Sequence, residues 1–281
     1  MTFKTRSAIC FLAATVVISW GAVAMAADSF DFAVIQPGQP GTSKEAQPVM
    51  DALAAYIQKQ MGKDAAVKGT YFNHPGPALD FLNQTPPAWG IVRLGFYSAH
   101  ARLFHMTALA STRPGGHPKD IWRLIVPGQG PKDWKTLTGK VMGNMLFEPD
   151  AASCLLFGLP AARLPFRLEG TFRPLRSLRE VMRGKLAGAV LDRLQYEAVQ
   201  ALPLGKDIAV AHTSSDLPTS PVVWFGKTDE RAGNLRAILL KMKRDHDAQT
   251  LLKLLQTDGF APADPDLPNF RQTGEGTPCF H

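Results

Sequence analysis

The chain is poor in the residue patterns that mark chemistry. It has no C-x-x-C, no H-E-x-x-H and no G-x-S-x-G, and its seven histidines are scattered singly. A redox dithiol, a zincin-type metal site and an esterase-like nucleophile elbow are therefore not expected, and neither is a metal or a cofactor. His100 and His105 are five apart, a spacing that does not face them on a helix. Nor is there an internal repeat, a low-complexity block or a long basic run. The formal net charge of +7, two units of which lie on Lys4 and Arg6, is spread along the chain. Such a diffuse excess favours an anionic ligand or surface no more than a bland basic exterior, and it does not point to nucleic acid. Cysteine is scarce: Cys10, Cys154 and Cys279 only. A single distant pair is not a disulfide framework, and spacing does not show whether Cys154 and Cys279 meet.

What is present begins with a leader. Lys4 and Arg6 precede an apolar run from Ala8 to Val23, closed by Ala24-Met25-Ala26. Charge, apolar run and small-residue site, in that order, are the build of a secretory signal peptide cleaved after about Ala26. Cys10 lies inside the run without the small residue that precedes a lipidated cysteine. The remainder, about 255 of the 281 residues, suits one or two domains in a periplasm-like space.

Strand-like and helix-like segments alternate. Strands are expected at Phe30 to Ile35, Val67 to Phe72, Trp89 to Val92, Met106 to Ser111, Ile121 to Pro127, Lys140 to Gly143, Ala187 to Leu191, Ile208 to Thr213 and Val222 to Phe225. The four-residue step of Val49, Leu53, Ile57 and Met61 marks an amphipathic helix ended by Gly62. Its start is open to two readings. Thr42 and Glu45 fit a capping box, whereas Pro48 fits better at the first helical position, with Gln47 as the start. Further helices are expected at Pro77 to Leu82, Tyr97 to Phe104, Ala151 to Leu159, Ser177 to Arg183 with Ser177 as cap, and Asp192 to Gln200. Two more close the chain, around Leu235 to Met242 and Leu251 to Leu255. The alternation argues an α/β protein with mainly parallel sheets. Its strand–helix units fall into two groups, before about Ser111 and after about Lys140, as in a two-lobed molecule whose chain crosses over and returns.

The local wording adds to this. Trp134-Lys-Thr-Leu-Thr-Gly-Lys-Val141 resembles the entry into a second lobe. Ser177 through Asp192 resembles a helix, G-x-x-D-A, strand, Asp passage. Asp216-Leu-Pro-Thr-Ser-Pro-Val223 resembles a return crossing, and Asp258-Gly-Phe-Ala-Pro-Ala-Asp264 a closing G-F-x-P-A. In this order the motifs resemble type II periplasmic substrate-binding proteins, nearest to the phosphate/phosphonate branch. The resemblance implies two α/β lobes, residues 27–112 with 222–281 and residues 113–221, joined by two crossing strands. It also implies a monomer that binds a small ligand between the lobes and hands it to the membrane permease of an ABC importer. Some members instead present ligands to a membrane sensor domain, and an exported hydrolytic enzyme is a reading from a different class. One departure stands out. The phosphonate branch carries an S-x-S-G turn where this chain has Glu148-Pro-Asp-Ala-Ala-Ser-Cys154. Only Ser153 remains of the hydroxyls, beside two acids.

Cleft residues in such a fold lie on loops after strand ends. Gln36 and Gly38 follow the first strand, and glycine there lets backbone approach a ligand. Tyr71 ends the second. Arg93, Phe96 and Tyr97 follow the third; Arg93 offers a bidentate grip on an anion and Tyr97 a hydroxyl. Asp150 and Ser153 sit at the turn where the second lobe's binding site is expected. Asp192 ends a strand, with Tyr196 one turn on. Helix capping is the competing role for Asp150, Ser153 and Asp192. Arg93 suggests an oxyanion, whereas Glu148, Asp150 and Asp192 suggest an amine or a zwitterion.

Overall fold

A computed structural model describes residues 30–62, 67–267 and Cys279. The leader lies outside the described residues. Among them, no helix is long and apolar enough to cross a membrane.

The first half of the chain builds β1 (Phe32–Ile35), α1 (Ser43–Met61), β2 (Gly69–Phe72), α2 (Pro75–Gln84), β3 (Trp89–Val92), α3 (Leu94–His100) and β4 (Met106–Thr112). It then crosses over through β5 (Lys119–Asp120). A second group follows: β6 (Arg123–Pro127), β7 (Gly139–Gly143), α4 (Pro149–Phe157), β8 (Phe166–Gly170), α5 (Pro174–Met182), β9 (Gly188–Leu191), α6 (Arg193–Gln200) and β10 (Ile208–Thr213). The chain returns through β11 (Leu217–Pro218) to β12 (Pro221–Phe225), α7 (Glu230–Lys241), α8 (Gln249–Leu254) and β13 (Phe260–Pro262).

These strands form two mixed sheets, ordered β13-β4-β12-β3-β1-β2 and β10-β6-β9-β7-β8, and a two-stranded antiparallel link, β11-β5. Each large sheet has a parallel core, β2-β1-β3 and β8-β7-β9. The strands at the crossings, β12 and β4 in one sheet and β6 and β10 in the other, add antiparallel. The parallel reading thus describes one side of each sheet, where strand–helix units repeat. The strands entering from the opposite lobe, β12 and β6, run the other way, and those leaving for it, β4 and β10, pair antiparallel with them and so run with the parallel strands. Met106–Thr112 and Arg123–Pro127 flank one Pro/Gly turn but belong to different sheets, because the chain crosses between them.

The parallel cores explain the apolar runs. All four residues of β1, of β3 and of β9 are buried, as strands covered on both faces require. Alternate residues of β1 face opposite layers. Phe32 and Val34 pack under α1, α7 and α8 with Leu53, Ile57, Leu235 and Leu252. Ala33 and Ile35 join a second cluster that continues through Val92 and Phe96 into Leu124, Val141 and Leu146 of the other lobe. The two lobes therefore share apolar packing along one side, centred on α3 against α4. There His100 Nε2 lies 3.0 Å from Glu148 Oε1. Cys154 of α4 is disulfide-bonded to Cys279, with Cα atoms 5.3 Å apart.

Three helix starts differ from the sequence reading. Helix α1 begins with Thr42 in a full capping box with Glu45, and Pro48 lies inside the helix. Satisfying Thr42 and Glu45 reciprocally is worth about 1 kcal/mol, which offsets part of the cost of Pro48, the sixth helical residue, which lacks the N–H that would donate to the Lys44 carbonyl. Helix α5 begins at Pro174, a favoured first position, so Ser177 is interior and its hydroxyl donates back to the Arg173 carbonyl at 3.3 Å. Helix α3 begins at Leu94, directly after Arg93, and ends at His100. It stops short of Phe104 because His105 takes a positive φ of 48° and Met106 N–H donates to the Ala101 carbonyl, turning the chain into β4.

Candidate functional site

The parallel strands end on the same edge, and their last hydrogen bonds set the positions of the residues just beyond. Gln36 N–H donates to the Phe72 carbonyl at 2.8 Å, and Arg93 N–H to the Ile35 carbonyl at 2.8 Å. Gln36 and Arg93 are thus held side by side at the carboxyl edge of β1 and β3. From the other lobe β9 delivers Asp192, the N-cap of α6. Its Oδ1 accepts the Gln195 N–H at 2.8 Å, and Gln195 Oε1 accepts the Asp192 N–H at 3.3 Å. From the crossing, β5 delivers Asp120. Its Oδ1 accepts the N–H groups of Ile121 and Arg193, at 2.7 and 3.0 Å, and its Oδ2 accepts the Trp122 indole N–H at 3.0 Å.

These residues line one cavity of about 450 Å³ between the lobes, together with Tyr71, Asn144, Thr219 and the α1 and α8 residues Val49 and Leu255. The charges in it are mutually tuned. Arg93 Nη1 donates to the Pro37 carbonyl at 3.0 Å. Burial pushes the Arg93 pKa down, and the carboxylates of Asp192 and Asp120 push it back up. The Asp192 carboxyl is pushed up to about 6, first by burial and then by Asp120; the Gln195 N–H and Arg93 act in the opposite sense. Lys119 also lines the cavity, but its ammonium is held by Asp264 and Asp266 at 2.8 and 2.5 Å. Asp120 is a brace, with both oxygens committed to neighbouring N–H groups. Two buried polar atoms on the lining, Asn144 Oδ1 and Arg193 Nε, have no partner among the described protein atoms.

The structure brings together Gln36, Tyr71, Arg93 and Asp192 from the residues singled out in the sequence. Gly38 lies just behind them with φ +85°, and a Cβ there would overlap the Asn144 carbonyl, so it marks where the lobes touch. The rest point elsewhere. Because α3 starts at Leu94, Phe96 and Tyr97 fall on its core face and are buried. Asp150 is exposed on the first turn of α4. Ser153 is fully buried, its hydroxyl donating to the Leu159 carbonyl at 2.7 Å. The Tyr196 ring lies under the Arg123 guanidinium, 4.5 Å from its centroid. Asn144, Asp120 and Thr219 were not singled out. Asn144 follows β7 as the Gln36 turn follows β1, a parallel that could have flagged it; the two-residue crossing strands offer no period to read.

Among the described residues, no group of three or more His, Cys, Asp or Glu side chains could hold a metal ion. What the arrangement offers is recognition: a guanidinium from one lobe and a carboxylate from the other, with hydrogen-bonding groups between.

Residues 162–267 match the model of a family described as the periplasmic substrate-binding protein of ABC phosphonate transporters. The fold is that of a type II periplasmic binding protein. No curated protein sequence matches the chain. Among solved structures, XAC2383 from Xanthomonas citri, bound to ATP, superposes with a TM-score of 0.65 at 17% identity, covering 85% of this chain and 93% of its own. A binding protein component of an ABC phosphonate transporter from Pseudomonas aeruginosa gives 0.59 at 16%, covering 85% and 82%. PhnD1 from Prochlorococcus marinus, in complex with methylphosphonate, gives 0.57 at 11%, covering 85% and 94%. The family whose model matches is one of transport substrate-binding proteins, which supports a solute-binding role.

Proposed function

We propose that the chain is an exported binding protein that closes its two lobes over a small zwitterion and delivers it to the permease of an ABC importer. The observation that carries the ligand class is the pairing of Arg93 from the first lobe with Asp192 from the second across one cavity. Arg93 would take a carboxylate or phosphonate, and Asp192 an ammonium. Since the two charges belong to different lobes, a ligand carrying both gains its full contacts only in the closed state. It therefore shifts the population towards closure.

The proposed ligand site comprises Gln36, Tyr71, Arg93, Asn144 and Asp192, with Gly38 at the lobe contact. The proposed lobes are residues 27–112 with 222–281, and 113–221; β1 to β4, β13 and all of β12 but Pro221 fall in the first and β6 to β10 in the second, while Cys279 is bonded across to α4. We further propose that the leader is removed after about Ala26, that the periplasmic protein acts as a monomer, and that it performs no catalysis.

The test is a thermal-shift and calorimetric screen of the purified protein against inorganic phosphate, methylphosphonate, 2-aminoethylphosphonate and a set of α-amino acids. Bound ligand raises Tm by mass action. The expected result is a shift with zwitterions that exceeds any shift with phosphate or methylphosphonate. Equal or stronger binding of the plain anions would overturn the zwitterion assignment, and turnover of a bound compound would overturn the non-catalytic one.

A further inference from the structure

The cavity is larger than its charged end needs, and its surplus is apolar. At about 450 Å³ it has the volume of roughly fifteen waters at about 30 Å³ each. A phosphonate on a single carbon has five non-hydrogen atoms and would leave most of it unfilled. The charged end is built from strand ends, the crossing and the second lobe, by Arg93, Asp120, Asn144 and Asp192; Glu45 of α1 and Gln256 and Thr257 after α8 add polar groups at the rim. Apolar residues line it from both lobes: Trp122 and Leu194 from the second, and a contiguous group from the first. Val34 and Ile91 stand two residues before Gln36 and Arg93 on the same strands, so they line the same face one step deeper. Val49 and Met50 of α1 face them, and Leu254 and Leu255 at the end of α8 close the rim. Leu254 is 52% exposed, an apolar side chain left at the mouth.

Resting on the zwitterion reading above, we propose that this is a two-part site: a charged end at Arg93 and Asp192 and an apolar annex between α1, β1, β3 and the end of α8. The guest is then a zwitterion bearing a hydrocarbon substituent of about three to six carbons, such as an α-amino acid or α-aminophosphonate with an aliphatic or aromatic side chain. The substituent excludes water from the annex, and the annex sets the specificity that the charged end, common to all such compounds, does not supply.

The experiment is a calorimetric series on the full mature protein with glycine, alanine, norvaline and norleucine, and with the corresponding 1-aminoalkylphosphonates. Affinity is expected to rise about fourfold per methylene, the value of about 0.8 kcal/mol for a buried CH₂, until the annex is full. Val49→Thr keeps the side-chain shape and adds a hydroxyl to the annex wall. It should weaken the longest member several-fold and leave the shortest within twofold; Leu254→Gln, at an exposed position, gives the same readout if Val49→Thr folds poorly. Binding that is flat or falls with chain length overturns the annex while the charged end stands. Failure of every zwitterion at every length overturns both.

Discussion

Two helix starts in the second lobe share the same local grammar and end in different places. Helices α4 and α6 each follow a parallel strand and carry an acid at or near the N-terminus. At α6, Asp192 is locked in a capping box and turned into the cavity, with its carboxyl pushed up to about 6. At α4, Glu148 makes no cap and instead meets His100 of the first lobe, Asp150 faces solvent, Ser153 is plugged against Leu159, and Cys154 is bridged to Cys279. The difference lies in sheet order. Strand β9 sits next to β6, which continues from the crossing, so its helix starts beside the hinge. Strand β7 is one place further out, and the helix after it packs on α3. An acid after a strand marks a helix cap; only the strand's place in the sheet decides whether that cap faces a ligand.

Several measurements would break or sharpen this contrast. The largest effect is expected at the contact shared by both lobes. In Gly38→Ala the new Cβ meets the Asn144 carbonyl at a backbone φ of +85°, and neither side is a flexible side chain. Closure should fail, seen as a larger radius of gyration in solution scattering with ligand present and an affinity at least about 100-fold weaker. Next comes Asp192→Asn. Loss of a charge-assisted contact should weaken amine-bearing ligands about 10- to 100-fold and leave plain anions unweakened, read by calorimetry. A uniform loss for both ligand types would mean that Asp192 acts only as a cap.

The pH dependence is smaller and has a definite sign. Only ionised Asp192 attracts an ammonium, so affinity should fall about tenfold from pH 7 to pH 5, across the raised value of about 6. The unliganded protein should respond in the opposite way. A folded-state pKa raised above the ordinary aspartate value means that the folded state holds the proton more tightly. Its stabilising contribution is full below about pH 4 and is lost as pH rises through about 6. Thermal melts of the wild type and Asp192→Asn across that window would show the slope and its loss. The smallest effect is expected at the other helix start: Asp150→Asn should change affinity by less than about twofold, since its side chain is solvated. A larger loss would mean that α4 reaches the ligand after all.

Much of the fold was legible because buried parallel strands write themselves as short apolar runs. Trp89 to Val92 has the bounds the structure shows, and so, on a half-exposed antiparallel edge, does Ile208 to Thr213. That the chain crosses and returns is legible in the two groups of strand–helix units, but the place of the return came only through the resemblance, since Lys119–Asp120 and Leu217–Pro218 are too short for any period. Helix starts were misread where two valid signals competed: Pro48 against the Thr42 box, and Ser177 against Pro174. The site was half legible for the same reason. Strand ends nominate residues, which brought Gln36, Tyr71, Arg93 and Asp192 into view. Rotation of α3 by its earlier start removed Phe96 and Tyr97, and sheet order removed Asp150 and Ser153. Neither is a property of local sequence.

The bridge between Cys154 and Cys279 closes a loop of 125 residues. A loop that long costs the unfolded chain more freedom than a short one does, so reducing the bond should lower the melting temperature without touching any residue that lines the cavity.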